Sequence, residues 1–203
     1  MAQIFVASPA YLHLNNVEGA TLYGCDQDWF QGIWQRKSGC GPCTLANIML
    51  YLARAGKLEK PLAARDEQGM LPIMETMWEY VTPGIRGLNC IHRFAGGANQ
   101  ALTEAGCCLR AICFDVEEGA PRPERADIVH YIQAGLAKAP VAFLSLLRRQ
   151  LGDLEPWHWV TVAGLIPSGD DTLLHIYDNG LAFDLSLRAW LEAGGTGGFV
   201  AFA

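Results

Sequence analysis

The chain lacks the features by which nucleic-acid-binding, membrane-spanning and exported proteins are commonly recognised. No segment reaches the roughly 20 apolar residues of a membrane span, and the amino terminus has no basic region ahead of an apolar stretch, so we find no secretory signal. The net charge is −6 and basic runs are absent, which argues against nucleic acid or an anionic membrane as a partner. We therefore expect a cytoplasmic protein with neither partner.

The cysteines lack any pattern that would assign them to disulfides or to zinc. Seven is an odd number, and without an export signal we expect reduced thiols. A zinc site would need two well-spaced pairs of ligands, and Cys90, His92, Cys107 and Cys108 do not supply a second Cys-x-x-Cys. We therefore expect neither a metal nor another cofactor.

The order of helical and strand patterns predicts an α+β fold. A chain of 203 residues that is 51% apolar can form one domain, residues 1–203, with a sizeable core. A loop rich in proline and charge covers 117–125. The pattern predicts a mainly helical part, 1–138, and a mainly antiparallel part, 139–203. Helices are expected from Pro42 to the stop signal at Gly56 and around 66–80, 97–105, 126–138 and 186–193, with strands around 109–114, 141–147, 157–166, 173–177 and 198–203.

The most informative segment, 35–43, reads Gln-Arg-Lys-Ser-Gly-Cys-Gly-Pro-Cys and precedes a strongly apolar helical pattern. Cys40 is thereby expected at the start of a helix, where the helix dipole stabilises a thiolate. Two chemistries use such a thiol. Cys40 is either a nucleophile for acyl transfer or, together with Cys43, one half of a Cys-Gly-Pro-Cys redox pair.

A histidine and an aspartate further along the chain favour the nucleophile. His158 and Asp178 lie on two strands expected to pair, and a connecting turn of three or five residues would put both on one face. A turn with an even number of residues would separate them. His158 would act as the base, and Asp178 would fix its tautomer and orientation. Trp157 and Trp159, which flank His158, are candidate walls of the substrate cleft.

The order Gln35, Cys40-Gly-Pro, apolar helix, His158-Trp-Val-Thr-Val and Tyr177-Asp-Asn resembles papain-like cysteine peptidases. It is most similar to the bacteriocin-leader-peptidase-like (double-glycine peptidase-like) branch. The resemblance implies a helical lobe that carries the cysteine, packed on an antiparallel sheet lobe that carries the histidine and aspartate. It also implies that Cys40 is the nucleophile, His158 the base and Asp178 the orienting acid. Gln35 would hold the oxyanion, with Gln31 as a second candidate.

The sequence therefore predicts a cysteine hydrolase, a peptidase or amidase, that forms a thioester on Cys40 from a peptide or small amide. The alternative is a thiol-disulfide oxidoreductase that uses Cys40 and Cys43. This alternative requires a hydrophobic strand before Cys40, and it leaves His158 and Asp178 without a task. An acyltransferase, or an inactive binding protein on the same scaffold, are further alternatives.

Overall fold

The computed structural model of the protein describes residues 2–119 and 121–203. The helices are α1 (Ile33–Ser38), α2 (Cys40–Arg54), α3 (Glu67–Tyr80), α4 (Ile91–Glu104), α5 (Arg125–Leu136) and α6 (Leu187–Glu192). The strands are β1 (Ile4–Phe5), β2 (His13–Asn15), β3 (Thr21–Tyr23), β4 (Ala111–Val116), β5 (Val141–Ser145), β6 (His158–Ser168), β7 (Asp171–Asp178), β8 (Leu181–Ser186) and β9 (Gly197–Phe202). Single-turn 3-10 helices cover Pro9–Leu12 and Gln27–Trp29.

The main sheet is antiparallel, with its strands in the order β4-β9-β5-β6-β7-β8, and β1 pairs with the C-terminal half of β6. Strands β2 and β3 form a separate hairpin. The α+β class expected from the sequence is confirmed. The division at residue 138 does not separate helices from sheet, because β1 and β4 come from the first part of the chain and pair with strands of the second part.

Helix α2 is the central helix of the structure. Every residue from Gly41 to Leu52 is buried, on all sides of the helix, as expected for a helix that is apolar all round. It packs against β6 on one side and α3 on another. The helix ends at Arg54, and Gly56 then adopts the left-handed backbone (φ +67°) that favours glycine just after a helix.

The helix boundaries follow local signals where these are strong. Helix α3 starts after Asp66, whose carboxylate accepts the N–H of Gly69 at 3.0 Å, a common way to cap a helix. Helix α4 begins six residues before the predicted position 97. The adjacent glycines Gly96 and Gly97 are typical of a turn, but here they lie inside α4. A Cβ at Gly97 would collide with the carbonyl oxygen of Tyr80, so glycine is required there for close helix packing.

Strand β8 and helix α1 were not predicted. The residues before β8, Asn179 and Gly180, both have positive φ (46° and 74°), as the two central residues of a type I′ hairpin turn do. The Asn-Gly pair was therefore the signal for a hairpin, beyond a simple turn. Helix α1 is too short for apolar periodicity to reveal it.

Candidate active site

Cys40 is the first residue of α2 and is partly exposed. Gly39 alone joins α1 to α2, and a Cβ at this position would lie 2.5 Å from the carbonyl oxygen of Gln35 and 2.7 Å from the ring of Phe30. Only glycine permits so close a junction. The junction holds the Cys40 thiol at the amino-terminal end of a buried helix, where free N–H groups and the helix dipole favour an anion.

His158 and Asp178 form the charged pair of the site. Nε2 of His158 lies 2.9 Å from each carboxylate oxygen of Asp178, and the two side chains are only 4% and 12% exposed. The imidazole lies close enough to Cys40 for that residue to raise its pKa. Because Nε2 faces Asp178, Nδ1 is the nitrogen available to the thiol, and the carboxylate of Glu155 lies 3.9 Å from Nδ1.

Burial opposes a charge on His158, but the hydrogen bond to Asp178 and the neighbouring Cys40, together with the negative charge of these two groups, outweigh it. The pKa of His158 is therefore raised well above its usual value of 6.5. An imidazolium held in this way can stabilise a thiolate and can later donate a proton. The structure thus brings together Cys40, His158 and Asp178.

The pairing of His158 with Asp178 has a different origin from the one predicted. The β6–β7 turn is Gly169-Asp170, because Ser168 pairs directly with Asp171. A regular ladder from a two-residue turn would put His158 and Asp178 on opposite faces. The register shifts between Val162 and Gly164, where Ala163 is the extra residue of a β-bulge.

Beyond the bulge, Thr161 pairs with Tyr177, so continuation of the ladder puts Asp178 beside Val160. His158 lies two residues further along and therefore shares a face with Asp178. The bulge shifts the register by one residue and so compensates for the even-numbered turn.

The structure does not bring Gln35 to this group. Its Oε1 accepts the N–H of Gly32 at 3.2 Å, and its Nε2 donates to Glu75 at 2.6 Å. Gln31, the second candidate, donates weakly to the carbonyl of Trp29. Gln31 thus bonds within its own segment, whereas Gln35 bonds at the start of α1 and attaches α1 to α3. The predicted oxyanion role of Gln35 is therefore not supported.

The two tryptophans beside His158 have different positions. Trp157 is 43% exposed, has a left-handed backbone (φ +55°) and lines the cleft at Cys40. Trp159 is 1% exposed, and its ring stacks on the ring of Phe94 with the two centroids 4.3 Å apart. Its indole N–H donates to the carbonyl of Leu88 at 2.5 Å. The prediction of a cleft wall is wrong for Trp159, which is a core residue.

The cleft at Cys40 has a volume of about 330 Å³. Sequence reasoning missed most of its walls, because neither the short helix α1 nor the loop that carries Ile85 and Arg86 has a periodic signal. Among them are Trp34, which is 48% exposed, Ile85, which is almost fully exposed, and the basic side chains of Lys37 and Arg86. The cleft therefore has apolar walls with positive charge nearby.

Cys43 lies one helical turn after Cys40 and is buried. Burial, followed by the neighbouring Cys25 and nearby negative charges, raises the pKa of the Cys43 thiol well above its usual value. Cys43 is thus a protonated thiol in the folded protein and not a second thiolate beside Cys40. Residues Ile33 to Ser38, just before Cys40, form helix α1, whereas a thioredoxin-type site would follow a strand.

No family model, curated protein or solved structure matches this chain. Within residues 2–119 and 121–203 no cluster of three or more histidine, cysteine, aspartate or glutamate side chains is arranged to hold a metal ion. In the same residues no helix combines the length and the apolar character that crossing a membrane requires.

Proposed function

We propose that the protein is a cysteine hydrolase, a papain-like peptidase or amidase, that acts through a thioester on Cys40. One observation carries the proposal. The buried imidazole of His158 is bonded to Asp178 at Nε2 and lies close enough to Cys40, a partly exposed cysteine at a helix start, for that residue to raise its pKa. This combination of nucleophile, base and orienting acid is the one that thiol-dependent acyl transfer requires.

In the first half-reaction the Cys40 thiolate attacks the carbonyl carbon of an amide, and the carbonyl oxygen becomes an oxyanion. The backbone N–H of Cys40, in the first turn of α2, belongs to the attacking residue itself and is therefore available as a donor to this oxygen. The His158 imidazolium then gives its proton to the leaving amine, and a thioester remains on Cys40.

In the second half-reaction neutral His158 takes a proton from water, and the resulting hydroxide attacks the thioester carbon. The acid product leaves, the Cys40 thiolate re-forms and His158 is again protonated. Asp178 accepts the Nε2–H throughout, so the ring keeps Nδ1 directed at the reacting atoms. An amine that entered in place of water would give acyl transfer by the same steps.

The cleft supports a short peptide or a small amide as the substrate. A volume of about 330 Å³ is near the lower end for ligand sites in proteins. Trp34, Ile85 and Trp157 offer apolar walls, and Lys37 and Arg86 offer positive charge. We therefore expect a substrate with an apolar group near the scissile bond and a negative charge within reach of the basic side chains.

The redox alternative has less support. The chain before Cys40 is helical where an oxidoreductase of this type would have a strand. The alternative also gives no reason for a buried His158–Asp178 pair. Buried charged pairs require compensation, and catalysis by Cys40 provides a reason for this one.

The first test is alkylation by iodoacetamide across pH, measured for each cysteine by mass spectrometry. We expect Cys40 to react fast at pH values where the exposed thiol of Cys108 is nearly inert, and to lose this advantage in His158→Ala. His92→Ala is the matched control, because His92 also bonds to an aspartate but lies elsewhere on the surface.

If Cys40 reacts no faster than Cys108, or reacts equally fast without His158, the proposed pair does not exist. Where the alkylation result is positive, a library of fluorogenic peptide amides would identify the substrate. Cys40→Ala should then abolish turnover while circular dichroism and thermal unfolding remain unchanged, and His158→Ala should be as damaging because the two residues act as a unit.

A further inference from the structure

Three thiols lie together at the start of α2. Cys40 is partly exposed, whereas Cys43 and Cys25 are 5% and 1% exposed. Residues three apart in an α-helix share a face, and helix geometry puts their Cα atoms about 5 Å apart. That separation lies within the range of natural disulfides. All three cysteines are free in this structure.

Cys43 is held in place by its neighbours. The thiol of Cys25 donates to the carbonyl of Cys43 at 3.5 Å. The N–H of Cys25 donates in turn to the buried side chain of Asn47 at 2.9 Å. Cys43 therefore has a fixed, water-excluded position one turn from the proposed nucleophile.

The two positions differ in access to oxidants. Hydroperoxides react with thiolates that they can reach, and Cys40 is the only one of the three thiols that is more than slightly exposed. Cys43 remains a protonated thiol in the core. The pair thus has a partly exposed cysteine with a protected thiol beside it, which is the spatial arrangement of a redox-sensing cysteine and its resolving partner.

We propose that Cys40 and Cys43 form an oxidation site for hydroperoxides, in which Cys43 captures the oxidised nucleophile as a disulfide. The inference rests on the proposed function in that Cys40 must be a reactive thiolate. The thiolate attacks the terminal peroxide oxygen, the O–O bond breaks, and Cys40 becomes a sulfenic acid while the other oxygen leaves as hydroxide from hydrogen peroxide or as alkoxide from an organic hydroperoxide. The sulfur of Cys43 then attacks the sulfenic sulfur, the S–O bond breaks, and the Cys43 proton leaves with the hydroxyl group as water.

The disulfide inactivates the enzyme and protects Cys40 from further oxidation. Cys40 sulfur bound to Cys43 cannot attack a carbonyl, and it cannot proceed to sulfinic or sulfonic acid, which thiols do not reduce. Thiol–disulfide exchange with a small dithiol returns both residues to the reduced form. The substrate of the site is thus a hydroperoxide, and the consequence is a reversible arrest of hydrolysis.

The test exposes reduced protein to hydrogen peroxide and maps each cysteine by mass spectrometry, before and after dithiothreitol. In the wild type we expect a Cys40–Cys43 disulfide and full return of fast Cys40 alkylation after reduction. In Cys43→Ala we expect sulfinic and sulfonic acid at Cys40 and no recovery. Cys25→Ala is the matched control, since it removes a buried thiol from the same cluster and must still form the disulfide.

Two outcomes overturn the inference. One is over-oxidation of Cys40 in the wild type while Cys43 stays reduced, and the other is a disulfide between Cys25 and Cys43. Both can occur while unoxidised Cys40 still shows fast, His158-dependent alkylation, in which case the proposed function stands and only the oxidation site falls. Slow alkylation of Cys40 before any peroxide is added would instead remove the proposed function.

Discussion

Asp178 is the residue whose removal gives the most direct measure of how the site is charged. Asp178→Asn keeps an oxygen that can accept the Nε2–H of His158 but removes the negative charge. The pair is short, at 2.9 Å, and largely shielded from water, so little of the interaction is lost to solvent screening. A hydrogen bond to a charged group contributes about 1.5–3 kcal/mol and one between neutral groups about 0.5–1.5 kcal/mol.

The difference, roughly 1–1.5 kcal/mol, corresponds to a fall of about one unit in the pKa of His158, since one unit is 1.36 kcal/mol. The direction in which stability depends on pH follows from the pKa of His158 in the folded state. Because the pKa of His158 is raised on folding, its contribution to the free energy of unfolding is complete below the unfolded value of 6.5 and is lost as pH rises through the folded pKa. By lowering the folded pKa of His158, Asp178→Asn should lower the pH at which this stabilisation is lost.

The assay is NMR titration of the imidazole carbon–proton signals in a Cys40→Ala background, where the thiol no longer titrates together with the ring. Asp184→Asn is the control, because Asp184 bonds to His175 on the neighbouring strand at 2.7 Å and should leave the His158 signal unchanged. A shift of less than about half a unit for Asp178→Asn, or an equal shift for Asp184→Asn, would refute the reasoning.

Four further substitutions, one of them the control Gly96→Ala, test the surroundings of the site. Gly39→Ala should lower the free energy of unfolding by about 1–3 kcal/mol through overpacking at the helix junction, whereas Gly96→Ala, in open space within α4, should raise it by about 0.5–1 kcal/mol; equal urea midpoints would contradict this. Asn47→Ala should cost about 1–3 kcal/mol for each buried group left unpaired, and a loss below about half of that would show that water replaces the amide. Gln35→Ala should change kcat on an identified amide by less than about tenfold, because its amide is bonded to Glu75; a loss of about 10²–10³ would restore it as the oxyanion donor.

Local patterns were sufficient to locate most elements that carry the site. The apolar run after Cys40 predicted α2, and the helical pattern around 66–80 predicted α3, because both depend on contacts within a few residues. The order of Cys40, His158 and Asp178 suggested that they act together, but it did not show which face of the sheet His158 and Asp178 share. Each of these inferences needs only sequence spacing and the chemistry of one side chain.

Other features of the site depend on contacts between distant segments. Gln35 is suited to an oxyanion hole by its residue type, but its partner Glu75 lies 40 positions away on α3. Trp159 resembles a cleft residue by its position beside His158, yet Phe94 and Leu88 bury it. Tertiary packing decided both cases, and no local pattern encodes it.

The meeting of His158 and Asp178 depends on such a distant contact as well. The bulge at Ala163 has its carbonyl bonded to the N–H of Val6 at 3.0 Å, and a Cβ on Gly164 would collide with the ring of Phe5. The first strand of the chain therefore packs on the segment where the register of β6 changes. Without that change the two-residue turn would direct His158 to the other face of the sheet. The charged pair is thus a product of turn length, one extra residue and an edge strand more than 150 residues away in sequence, and the spacing between the two residues alone could not have shown which face they share.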